Sequence, residues 1–98
     1  MILEQAVFTI AAGSEQAFEA DFEQARELVA QSPGYRSLRL LRGIEQPSRY
    51  LLLIEWDSVE DHMQGFRESE LFQRWAALTR PHFGAAPDVR HFDPVVSQ

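Results

Sequence analysis

Apolar and polar positions along the chain alternate with two different periods, and the switches between them mark out the elements. Residues 2–10, "ILEQAVFTI", form an apolar and β-branched run that predicts a first strand. The turn "AAGS" follows. Phe18, Phe22, Ala25 and Val29 then recur at helical spacing, with Glu19, Glu23 and Glu27 on other faces. This predicts a helix capped by Ser14 and carrying Glu15 in its first turn. "SPG" at 32–34 stops it, because Pro33 disfavours helical backbone at the residue before it. Tyr35 to Arg42 reads as a second strand, heavily charged and so suited to a sheet edge. Gly43 and Pro47 lie in a hairpin-length connection to a third strand, Arg49 to Trp56. Ser58 is placed to cap a short helix that breaks near residues 67–69. Ser69 caps a second helical segment running to about Thr79, "RPHFGAAP" is expected as a loop, and Val89 to Asp93 forms the last strand.

The resulting order, β-α-β-β-α-β, is that of the ferredoxin-like α+β fold. It places strands one and three in the middle of an antiparallel sheet, with the helices on one face. One domain over residues 1–98 accommodates all of it. The third strand adds a problem. "LLLI" at 51–54 puts apolar side chains on both faces, whereas a sheet with one face in water usually alternates. Nothing is left in the chain to cover the second face. The reading favoured is a homodimer with two sheets packed face to face, over a monomer with a somewhat apolar exposed face. Such an interface should bury roughly 2,000 Å² or more.

Composition narrows the partners. A net charge of −6 argues against nucleic acid, which needs clustered positive charge. No apolar run approaches the ~20 residues that span a membrane, and the N-terminus lacks the marks of a signal peptide. Cysteine is absent, which excludes disulfides and thiolate metal sites and makes the cytoplasm the default location. All nine basic residues are Arg, so Schiff-base chemistry through a Lys side chain is excluded too.

Two groups of side chains could carry chemistry. Val59, His62, Met63 and Phe66 share one face of the first short helix at i, i+3, i+4 and i+7, which turns His62 inward. It is either a core histidine satisfied by neighbours or a general acid or base at a pocket wall. Trp56, Phe66, Phe72, Trp75 and Phe83 crowd into a short stretch and either pack the core or line a flat apolar cavity. His82, in the loop after Pro81, and His91, on the last strand, complete the histidines, but their spacing fits no metal motif. Glu55 sits near a strand end and is read first as an exposed charge. No phosphate loop, dinucleotide fingerprint or nucleophile elbow is present.

From "PGYRSLRLLRGIEQPSRYLLLIEW" through "YLLLIEWDSVEDHMQGFRESELFQRWAAL" to "PHFGAAPDVRHF", the chain resembles the antibiotic biosynthesis monooxygenase family of small dimeric α+β barrel proteins. Trp56, Ser58, Glu60, His62, Phe66, Ser69, Phe72 and Trp75, in their spacing, carry the likeness. The resemblance implies a homodimer and a cofactor-independent monooxygenase that oxidises a small aromatic or quinol-type molecule with dioxygen. His62 is then the catalytic candidate, and Trp56, Phe66, Phe72, Trp75, His82 and Phe83 are the substrate-binding candidates. No cofactor and no metal are expected. The chain departs from the family in having no Asn, on which polyketide-oxidising and haem-degrading members rely. "FQRWAAL" also offers Trp75 where the haem-degrading branch has a His, which argues against haem degradation. The alternative is a non-catalytic barrel that binds a small metabolite or serves in stress. Isomerase or lyase chemistry on a similar barrel is a third reading.

Overall fold

The two most apolar strands lie at the centre of the sheet. The computed structural model describes residues 1–97. Its elements are β1 (Ile2–Thr9), α1 (Glu15–Val29), β2 (Tyr35–Arg42), β3 (Arg49–Trp56), a π-helical turn (Asp61–Phe66), α2 (Glu70–Thr79), a short 3₁₀ turn (Arg80–His82) and β4 (Asp88–Phe92). The sheet order is β2-β3-β1-β4, antiparallel throughout, so the expected ferredoxin-like α+β fold is present. The charged strands β2 and β4 take the edges, where unpaired backbone can meet water.

Register sets which side chains meet the helices. Ala6 lies opposite Leu52, Phe8 opposite Tyr50, and Glu4 opposite Ile54. All six are buried, on the face packed against Phe18, Phe22, Ala25, Leu28 and Val29 of α1 and Trp75 and Ala76 of α2. The intervening residues Leu3, Gln5 and Val7 of β1, and Leu51, Leu53 and Glu55 of β3, point to the other face and are only half-buried. Glu55 belongs to that open face, where the Ser37 hydroxyl donates to its carboxylate.

Local chemistry explains most of the boundaries. Ser69 caps α2 by accepting from the Phe72 N–H at 3.3 Å, and Ser58 accepts from the Asp61 N–H at 3.1 Å. Ser14 precedes α1 but makes no side-chain cap. Glu15 instead accepts from the Gly13 N–H at 2.9 Å and from the Ser48 hydroxyl, tying the helix start to the β2–β3 connection.

The segment after Ser58 departs from expectation. It is a π-helical turn, closed by the Arg67 N–H bonding to the His62 carbonyl at 2.8 Å. A π turn takes one more residue than an α turn, so the α-helical spacing falls out of phase. His62 and Phe66 stay buried, whereas Met63 is 39% exposed. The expected loop at 80–87 is also partly ordered: the 3₁₀ turn continues α2, and Phe83 bridges back to Ile10 beyond the end of β1.

Candidate functional site

A cavity of about 420 Å³ opens between the sheet and the second helical region. The core-facing side chains of β1, Glu4, Ala6 and Phe8, form its floor, with Ile54 of β3 and Val89 of β4 beside them. The π turn contributes His62 and Phe66, α2 contributes Phe72 and Trp75, and Phe83 closes the far side. Arg67, Arg80, Pro87 and Asp88 complete the lining. The aromatic rings contact one another. Phe66 meets Phe72 edge-on at 5.5 Å and Trp75 at 6.1 Å, Phe72 stacks on Trp75 at 5.8 Å, and Phe8 lies 5.0 Å from Phe83. Such rings give the cavity aromatic walls against which a small aromatic ligand could pack.

Two polar groups of the wall, Glu4 and His62, stand together. Glu4 is only 5% exposed, because its position on β1 faces the core. Its Oε1 accepts a hydrogen bond from the Trp56 indole N–H at 2.9 Å, and His62 Nε2 lies 3.3 Å from the same oxygen. On the other side of the ring, His62 Nδ1 is 2.8 Å from Nε2 of the half-buried His91 on β4. The His62 ring stacks on Trp56 at 5.3 Å. A line of exchangeable groups therefore runs from Glu4 through His62 to His91 at the sheet edge.

Burial acts on these groups in opposite directions, because it always disfavours the charged form. The Glu4 carboxyl is pushed up from 4.5 to about 7, chiefly by desolvation and against the pull of the Trp56 hydrogen bond and the Arg67 charge. His62 is pushed down from 6.5 to about 4 by desolvation, with smaller contributions from His91 and Arg67. Near neutral pH, His62 is a neutral imidazole and its contact with Glu4 is not an ion pair. Glu4, by contrast, is poised between its two forms, as a general base working at that pH should be.

The candidates named from sequence are distributed unevenly around this cavity. His62, Phe66, Phe72, Trp75 and Phe83 line it together. Trp56 is fully buried behind His62 and bears on the site through its hydrogen bond to Glu4. His82 lies apart, bonded to Asp21 of α1 at 2.7 Å and packed on Phe18. Glu4 was not among the candidates, although its signal was present. In "ILEQAVFTI" it shares strand parity with Ala6, Phe8 and Ile10, so a carboxyl occupied a core-facing position. Arg67 and Arg80 were likewise missed, since only the fold brings them to one rim.

Comparison with known proteins agrees with this geometry. The family model for antibiotic biosynthesis monooxygenases matches residues 1–78. The Bacillus subtilis (strain 168) protein YczJ is 40% identical over 95 residues, covering 97% of this chain and all of that one (100%). The crystal structure of a Bordetella bronchiseptica protein assigned to the same class of monooxygenase superposes with a TM-score of 0.94 at 39% identity, covering 97% of each chain. SnoaB, a cofactor-independent oxygenase from Streptomyces nogalater, shares the fold with a TM-score of 0.84 at 19% identity, covering 98% of this chain and 94% of its own. Taken with the β-α-β-β-α-β order and the aromatic cavity under its sheet, the match places this chain in the antibiotic biosynthesis monooxygenase family.

Proposed function

We propose that the protein is a cofactor-independent monooxygenase that oxidises a small aromatic, quinol-type substrate in the cavity between sheet and helices. Glu4 is the proton acceptor, and His62 orients it and relays protons towards His91. The observation that carries the reading is a buried carboxyl held near pH 7 in the wall of an aromatic cavity. A hydroquinone bound there would lose a phenolic proton to Glu4. The resulting electron-rich anion reduces dioxygen, one oxygen atom entering the ring and the other leaving as water, which takes the proton held by Glu4 and a second proton lost from the substrate. Hydroquinone and dioxygen thus give hydroxyquinone and water, with all electrons supplied by the substrate. The apolar walls exclude bulk water, which strengthens the Glu4–His62 electrostatics.

The working form in this proposal is a cytoplasmic homodimer joined through the open sheet face. Support comes from Leu51 and Leu53, apolar and half-buried on a face that no helix or strand among the described residues covers. Oxygen uptake with a panel of hydroquinones and anthrones tests the activity. Wild type is expected to consume oxygen with at least one of them, and Glu4→Gln to lose on the order of 10²–10⁴-fold in rate. His62→Ala is expected to fall by a smaller factor. A panel to which wild type and both variants are equally inert would overturn the proposal. The absence of Asn favours one competing reading, a non-catalytic binder of small metabolites, which predicts ligand binding without oxygen uptake.

A further inference from the structure

We propose that the cavity takes an aromatic acid, whose carboxylate is held at the rim by Arg67 and Arg80. This rests on the cavity being the substrate site argued above and names the class of compound it accepts. Arg67 lies in the turn after the π-helical segment and Arg80 at the end of α2, yet the guanidinium groups of both pack against one ring. Arg67 Cζ is 5.1 Å and Arg80 Cζ 5.7 Å from the centroid of Phe72, and all three residues line the cavity. A guanidinium held over an aromatic face keeps its N–H donors in its own plane, free to grip a planar carboxylate.

Among the described residues, no hydrogen bond or ion pair uses those donors, and the arginines in ion pairs are Arg26, Arg36, Arg42 and Arg90. The other acid at the rim, Asp88, is engaged by Arg90 at 3.2 Å, and Glu4 already hydrogen-bonds the Trp56 indole N–H. The rim is therefore locally positive on a chain of net charge −6, which otherwise repels anions. Arg67 is also near enough to be felt by Glu4 and His62, so a bound carboxylate would sit within electrostatic reach of the proposed base.

The test compares gentisate, a hydroquinone bearing a carboxylate, with its uncharged amide, by calorimetry on wild type, Arg67→Gln, Arg80→Gln and Arg74→Gln. Arg74 is exposed on α2 and does not line the cavity. Wild type is expected to prefer the acid by about tenfold or more, with the preference falling about tenfold in the Arg67 and Arg80 variants and unchanged in Arg74→Gln. Equal affinity for acid and amide, a preference that survives both rim substitutions, or binding of neither compound would overturn the proposal. Oxygen uptake with the same pair separates it from the functional reading. Equal oxidation of acid and amide sinks the acid proposal alone, whereas arginine-dependent binding without oxygen uptake sinks the monooxygenase reading alone.

Discussion

Glu4 and His62 are neighbours driven in opposite directions by the same burial, and that gives the protein a distinctive pH behaviour. Glu4 titrates higher in the folded state than in the unfolded chain, so the folded state holds more protons between pH 4.5 and about 7. Its contribution to stability is present below that window and lost as pH rises through it, by about 3 kcal/mol. His62 does the reverse: its folded pKa is lowered to about 4, so stability is gained as pH rises from there to 6.5, by a similar amount of about 3 kcal/mol. The two slopes offset each other in wild type. Urea melts across this range should show stability rising with pH in Glu4→Gln and falling with pH in His62→Phe. Parallel profiles in all three proteins would mean that neither group is perturbed as described. For catalysis the ionised form of Glu4 is the active one, so activity should climb with pH through about 7. Trp56→Phe removes a hydrogen bond that favours the ionised carboxylate and should move that rise upward by on the order of one pH unit.

At the level of elements, the π-helical turn decides which side chains face the cavity, and a neighbouring glycine lets it pack. Gly34 has φ +88°, and a Cβ there would fall 2.3 Å from the Asp61 carboxylate at the start of the turn. Gly34→Ala should cost about 1–3 kcal/mol through backbone strain, with added crowding that Asp61 can relieve only by moving. A Cβ on Gly65, inside the turn, would meet only the Glu60 carbonyl oxygen at 3.9 Å, an ordinary contact. Gly65→Ala should therefore be neutral or stabilising by about 0.4–1 kcal/mol. Thermal melts of the pair would check the contrast, and equal destabilisation of both would contradict it. This is also where sequence periodicity failed. Val59, His62, Met63 and Phe66 fit an α-helical stripe, but the extra residue per turn leaves Met63 outside. The strands were read more accurately because a period of two has no such neighbour to be confused with. Parity along β1 already placed Glu4 beside Ala6 and Phe8, on the face that the helices cover.

For the whole molecule, the proposed dimer rests on the uncovered side of the sheet. Leu3, Val7, Leu51 and Leu53 form a half-buried apolar strip across the two central strands, and Leu41 on β2 extends it. Light scattering of wild type should give twice the 11.3 kDa chain mass, and Leu53→Arg should shift the population towards the single-chain mass. A wild-type mass of one chain at micromolar concentration would defeat the dimer. Because the cavity opens on the helix-covered face, the Leu53 variant should lose assembly before it loses ligand binding.

The sequence by itself determined the element order, the central place of β1 and β3, the apolar character of both faces of β3 and the membership of His62 in the interior. All of these depend on local periodicity, turn residues and charge, which are written along the chain. Only the tertiary structure decided that Glu4, His62 and His91 form one line, that Arg67 and Arg80 both lie against the Phe72 ring, and that His82 turns away to Asp21. Those juxtapositions join residues from separate elements, and burial and Coulomb forces depend on distances through space that no spacing along the chain encodes.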